Sequence, residues 1–287
     1  MKIVWLLMLL LTSQAFAQQA PKKIKLPNII REASGLFIEG PDKLWWHNDS
    51  GGEPSLYLTD RHGTLIDSLL IKGAVNRDWE DMTVDPNGNW YLGDFGNNRN
   101  NRQDLTIYIW KKAEATLDSI RFSYPEQKAF PPPRDQWKYN LEGFFWDNDS
   151  LHIFTKNKIG QGNDVTRHYA LSDKPGTQQA RLVDSCYLKN RVVTAAAMSH
   201  DGEEIALVAY TFGTVLGFIP RAAATLYVWS DYPPGKYFQG TMRAYRLCSW
   251  PLPTQFECVD FWDDDTVIVA SEATLWQPAR ARRVKLR

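Results

Sequence analysis

Five short segments of the chain carry one alternation of polar and apolar positions: Ser34-Gly-Leu-Phe-Ile, Glu80-Asp-Met-Thr-Val, Glu142-Gly-Phe-Phe-Trp, Thr194-Ala-Ala-Ala-Met and Glu257-Cys-Val-Asp-Phe. Each opens on an oxygen-bearing side chain and places apolar or small residues two and four positions later. A period of two marks a strand with two unlike faces. The segments lead into turns rich in Asn, Asp, Gly and Pro, and then into second strands. Examples are Asp85-Pro-Asn-Gly88 before Trp90–Asp94, Asp147-Asn-Asp-Ser150 before Leu151–Thr155, and His200-Asp-Gly202 before Ile205–Ala209. Such turn chemistry between alternating runs predicts hairpins.

Third strands are predicted at Ser55–Thr59, Leu105–Trp110, Thr166–Ala170 and Thr225–Trp229. Fourth strands are predicted at Leu65–Ile71, Ser119–Tyr124, Ala180–Tyr187 and Met242–Cys248. Four antiparallel strands repeated radially make a β-propeller. The anchors at 34, 80, 142, 194 and 257 are spaced 46, 62, 52 and 63 residues apart, with the excess length in loops 95–104, 127–139 and 211–224. The expectation is therefore an all-β, five-bladed β-propeller; a six-bladed one would need another anchor, and the sequence offers none. The last repeat is short, so Lys22–Ile29 is expected to supply its outer strand and close the ring.

The N-terminus has a different pattern. Lys2 precedes the uncharged apolar run Ile3–Leu11, and Ala15-Phe16-Ala17 is a small-x-small cleavage signature. This is the layout of a secretory signal peptide over residues 1–17, leaving 18–287 as one domain. The apolar run is short for a membrane span, no lipobox cysteine follows it, and no later segment is long and apolar enough to cross a bilayer. The expectation is a soluble, secreted or periplasmic monomer. The 33 basic and 33 acidic residues balance, which removes the basic excess that nucleic-acid binding requires. Three cysteines (Cys186, Cys248, Cys258) leave at least one unpaired and read chiefly as small buried hydrophobes.

Inner strands line the channel of a propeller, so equivalent residues on them form a ring. Here the ring is Ser34, Glu80, Glu142, Thr194 and Glu257. Three carboxylates converging on a narrow axis repel one another unless protonated or bridged by a cation. Calcium suits an all-oxygen set, and the absence of His and Cys disfavours zinc or copper. The bland alternative is that each Glu caps backbone amides of its own strand. Glu-Ala-Ser34-Gly-Leu, Trp-Glu80-Asp and Leu-Glu142-Gly-Phe resemble the SdiA-regulated family of exported five-bladed propellers. The order Ser, Glu, Glu, Thr, Glu is also similar to the calcium-activated nucleotidase (apyrase) family, with Thr194 where that family has Ser. The resemblance implies metal-binding roles for Ser34, Glu80, Glu142 and Glu257. No clear set of nucleotide-contacting residues accompanies it.

Second strands run back to the same face, which places His47, Asn48, Asp49, Asp94, Lys156, Tyr210 and Glu272 near the ring, with Arg77, Asp78 and Arg99 on adjoining loops. That mixture suits a small phosphorylated or glycan ligand. His47 is the histidine best placed for acid–base chemistry, a structural histidine being the equal alternative. Trp45, Trp79 and Trp137 are expected nearest the face. No Gly-x-Ser-x-Gly, His-Glu-x-x-His or Walker sequence is present. Two functions stay open: a calcium-centred binding or scaffolding propeller, and a calcium-dependent hydrolase of phosphoanhydrides or phosphoesters.

Overall fold

The computed structural model describes residues 19–156, 164–215, 219–249, 254–274 and 277–286; the expected leader at 1–17 lies outside them. The first strand, β1 (Lys23–Lys25), is followed by one four-stranded unit: β2 (Ala33–Gly40), β3 (Lys43–Asn48), β4 (Ser55–Thr59) and β5 (Leu65–Leu70). The second unit is β6 (Trp79–Val84), β7 (Asn89–Asp94), β8 (Thr106–Lys111) and β9 (Thr116–Ser123). The third runs β10 (Asn140–Asp147), β11 (Ser150–Lys156), β12 (Val165–Ser172), then β13 (Gly176–Gln179) and β14 (Arg181–Tyr187). The fourth is β15 (Val192–Met198), β16 (Glu204–Val215), β17 (Ile219–Ser230) and β18 (Thr241–Ser249). The fifth has β19 (Phe256–Asp263), β20 (Thr266–Ser271) and β21 (Arg280–Lys285), with β1 as its outer strand.

The protein is a five-bladed β-propeller. The innermost strands β2, β6, β10, β15 and β19 touch in a closed cycle around the axis. β1 pairs antiparallel with β21, Ile24 opposite Ala281, so the N-terminal segment completes the last blade as its sequence predicts. Five clusters of buried apolar side chains, among the described residues, fill the five spaces between neighbouring blades. The alternation of each strand explains them: one face of a blade packs on the preceding blade and the other on the following one. The turn between β10 and β11 shows the local chemistry. Asn148 and Asp149 both hold positive φ, as a two-residue primed hairpin turn requires.

Strand β13 has no counterpart among the strands expected from alternation. This strand leaves the third blade and pairs in parallel with β9 of the second, Gln178 opposite Phe122, so it straps two blades together at the rim. Trp45 and Trp79 also depart from expectation: both are buried between the first two blades and do not reach the channel face. The three cysteines are free, Cys258 fully buried and the other two half-buried.

Candidate cation and ligand site at the upper mouth of the channel

Every inner strand carries a β-bulge at the same residue of its repeat. Pairing with the second strand skips Ser34 in β2, Glu80 in β6, Glu142 in β10, Thr194 in β15 and Glu257 in β19. A bulge breaks the two-residue alternation and re-aims a side chain. All five bulged residues are buried.

The two hydroxyls serve the ring itself. Ser34 donates to the carbonyl of Glu80 at 2.6 Å, and Thr194 to the carbonyl of Phe256 at 2.7 Å, each reaching the next blade. Just below, Asp81 Oδ2 accepts the amides of Phe144 (3.1 Å) and Ala196 (3.2 Å) from two further inner strands. Asp260 Oδ2 accepts the amide of Ile38 at 2.6 Å. Burial pushes the carboxyl of Asp81 well above its ordinary range and that of Asp260 up to about 7.

The carboxylates gather above this layer. Oxygens of Asp49, Glu257 and Glu272 lie within 4.8 Å of one another, and so do oxygens of Asp49, Asp78 and Glu80. Asp49 belongs to both groups. It follows β3, whose end pairs beside the Ser34 bulge, and Ser50 donates its amide to Oδ1 at 2.5 Å. Gly96 brings the backbone after β7 against the cluster: a Cβ there would overlap Glu80 Oε1 and the Asp78 carboxyl. Its amide donates to the Asp78 carbonyl at 3.1 Å.

Glu142 has partners of its own. Lys156 Nζ lies 2.7 Å from Oε2, and Asn140 donates to Oε1 at 2.6 Å. The ammonium also sits 5.4 Å from the centre of the Tyr210 ring. Gln255 donates to Glu257 Oε1 at 3.2 Å. Glu80, only 3% exposed, has the carboxyls of Asp49, Asp78 and Glu142 and the Lys156 ammonium as its charged neighbours.

Six carboxyls thus surround one ammonium, and burial is costly for each. Burial, with Glu257 and Asp78 nearby, raises Asp49 to about 7. Burial raises Glu142 to about 7 against the opposing pull of Lys156. Burial and Glu257 raise Glu272 to about 10, and Glu80 and Asp78 are raised as well. Desolvation works against the charge on Lys156, yet Glu142 and its neighbours hold its pKa well above the ordinary value. The donor set is oxygen throughout, and crowded carboxyls that favour protonation when unpaired suit a hard cation with many ligands, which would take the place of those protons.

The remaining expected residues fall elsewhere. Asp94 stands one step back, held by Arg102 at 3.2 Å while accepting the amide of Asp78 at 2.9 Å. Asn48 ties β3 to the preceding segment through Ile29 and Glu32. Arg77 is exposed and pairs with Asp104, and Arg99 is exposed. His47 is fully buried; its ring lies against Trp79 and over Gly35, where a Cβ would overlap it. Burial lowers its pKa to about 4, so it is a neutral core histidine. Sequence reasoning missed Asn140 and Gln255, although each stands two positions before a bulged Glu and so shares its strand face. Arg102, which holds Asp94, was likewise not anticipated.

The sequence matches no protein-family model and no curated protein. Solved structures that resemble it include one propeller and two enzymes, each at very low identity. An α-L-arabinanase of Penicillium chrysogenum, complexed with arabinobiose, is 10% identical over 93% of this chain and 99% of that one, with a TM-score of 0.52. A gluconolactonase of Xanthomonas campestris is 11% identical over 92% and 89%, with a TM-score of 0.47. The Dos1 propeller is 10% identical over 83% of this chain at a TM-score of 0.40, and this chain spans about half of that one. At such identity the likeness concerns the fold alone.

Proposed function

We propose that this is an exported propeller that holds a calcium ion at the upper mouth of its channel and binds a small anionic or hydroxyl-rich ligand there. The observation that carries the reading is the pair of carboxylate groups joined at Asp49: oxygens of Asp49, Asp78 and the buried Glu80 lie within 4.8 Å of one another, and so do those of Asp49, Glu257 and Glu272. Asp49, Asp78, Glu80, Glu257 and Glu272 would hold the ion; Glu142 belongs first to Lys156. When bound, the ion supplies a positive centre for phosphate, carboxylate or sugar hydroxyl oxygens. Lys156 and Tyr210 at its side would orient such a group. The resemblance of the blade starts to SdiA-regulated propellers and to calcium-activated nucleotidases accords with this reading, as does the secretory pattern of residues 1–17.

The test is metal content and thermal stability of the mature protein after loading with calcium and desalting. Retained calcium near one ion per chain and a melting temperature lowered by chelator support the reading. A protein that retains no calcium and ignores chelator refutes it. Calcium-dependent turnover of a nucleotide and phosphoester panel would move the function to the hydrolase class.

A further inference from the structure

The channel has a second mouth, formed where the inner strands end and turn into the second strands. It opens into a cavity of about 640 Å³, within the range of small-molecule sites. The walls are aromatic and aliphatic: Phe37, Trp146, Tyr232 and Tyr237 stand around it, with Met82 and Val259 deeper in. Apart from His200 the charged groups that line it are acidic, namely Asp85, Asp147, Asp201 and Glu203, with the buried carboxyl of Asp260 behind them; no Lys or Arg is among the described lining residues.

These acids are held by neutral donors. Asp147 accepts from the Tyr237 hydroxyl and the Asn148 amide, each at 2.8 Å, and Asp85 from the amides of Asn87 and Asn89 at 2.9 Å. Asp201 accepts from the Ser199 hydroxyl and the Glu203 amide, which lower its pKa. No basic side chain is needed to satisfy these carboxyls, and a cleft of one sign with low-dielectric walls concentrates the opposite charge. Among the described residues, the carboxylate oxygens close enough to cage one metal ion belong to the upper mouth. Here the acids are spread over separate turns around aromatic rings. Trp146 donates its indole N–H to Asp173 at 3.0 Å, so its polar edge is engaged while the ring borders the cavity. Dispersed carboxylates with aromatic walls fit a bulky, weakly hydrated organic cation through charge and cation–π attraction.

We propose that this lower mouth binds a small organic cation, an alkylammonium or quaternary ammonium compound. The site is separate from the calcium reading and stands or falls without it.

Calorimetric titration of the purified protein with choline and with cadaverine tests the proposal against neutral isosteres, 3,3-dimethyl-1-butanol and 1,5-pentanediol. At least one cation is expected to bind saturably at one site, with little heat from its isostere. Binding should weaken severalfold between about 20 and 300 mM salt, as a screened charge interaction does. Asp147→Asn and Trp146→Leu should each weaken it by about twofold to fivefold, the size of one exposed cation–π or ionic contact. Glu203→Gln, an exposed change that leaves the core alone, serves if Trp146→Leu does not fold, and should weaken binding by about twofold to threefold. Arg99→Gln, an exposed change on the other side of the propeller, should leave it unchanged. Equal binding of the neutral compounds, no binding of either cation, or a loss in Arg99→Gln while the lower-mouth variants bind normally would overturn the proposal.

Discussion

Ser34 donates its hydroxyl proton to the backbone carbonyl of Glu80 at 2.6 Å, so the bulge of one blade grips the bulge of the next. Thr194 repeats the contact to Phe256. Both hydroxyls are buried, and removing either leaves a carbonyl without that donor in a place water reaches poorly. Ser34→Ala and Thr194→Val should each lower unfolding free energy by about 1–3 kcal/mol, the cost of a buried group left unsatisfied. Denaturant titration at fixed calcium would measure it. A change below a few tenths would mean the hydroxyls do not hold the ring.

Glu80→Gln separates charge repulsion from ion binding. In metal-free protein it removes one of several crowded carboxyls at nearly constant volume and should raise the melting temperature. The same change should abolish most of the gain on adding calcium, a gain of about 2.7 kcal/mol for native protein at a hundredfold excess over the dissociation constant. Opposite signs in the two conditions are the signature. A variant destabilised in both would show that Glu80 caps backbone, the alternative visible in the sequence.

Gly96→Ala asks whether close backbone approach shapes the cluster. The added methyl would overlap Glu80 and Asp78, so one carboxylate must move. Calcium affinity should fall by about tenfold or more, about 1.4 kcal/mol, while the blades stay folded. Unchanged affinity in a calcium titration would remove Glu80 and Asp78 from the ligand set.

The five anchors were legible because a propeller repeats one solution, and alternation around a fixed polar residue survives large differences in loop length. The ring closure by Lys23–Lys25 followed from counting strands in the short last repeat. The bulges were not legible: pattern alone shows Glu80 and Asp81 as neighbours on opposite faces, whereas the skipped pairing turns both toward the channel. His47 also lay beyond pattern, since its burial depends on the missing side chain of Gly35 in the adjacent strand. The strap Gly176–Gln179 pairs through backbone and is mostly exposed, so it carries no apolar signature at all.

Closure of the ring can be tested at Ile24. It is buried in the cluster between the fifth and first blades, opposite Ala281. Ile24→Ala should cost about 2–5 kcal/mol, the range for a large aliphatic core truncation. If β1 were a loosely attached rim strand, the loss would be near zero and calorimetry would show no shift.

The pH dependence combines two shifts of opposite sense, both away from the carboxylate cluster. Asp260 is raised to about 7 by burial, with the amides of Ile38 and Phe261 pulling the other way. A folded pKa above the unfolded one means the native state binds the extra proton, so this stability is complete below about pH 4 and is lost as pH rises through 7. His152 is lowered to about 3, first by burial and then by His168, whose Nε2 lies 2.8 Å from its Nδ1. A histidine with depressed pKa contributes stability above its unfolded value near 6.5, lost progressively as pH falls from there toward 3. His168 is lowered as well, although Asp184 opposes the shift at 2.8 Å. Asp260→Asn should therefore flatten the decline in melting temperature between about pH 5 and 8, because the amide no longer titrates. His152→Gln should flatten the decline between about pH 6.5 and 4, after allowance for its own packing cost. Scanning calorimetry of the three proteins across that range decides it: parallel curves for wild type and Asp260→Asn above pH 5 would show that Asp260 keeps an ordinary carboxylate pKa in the folded channel.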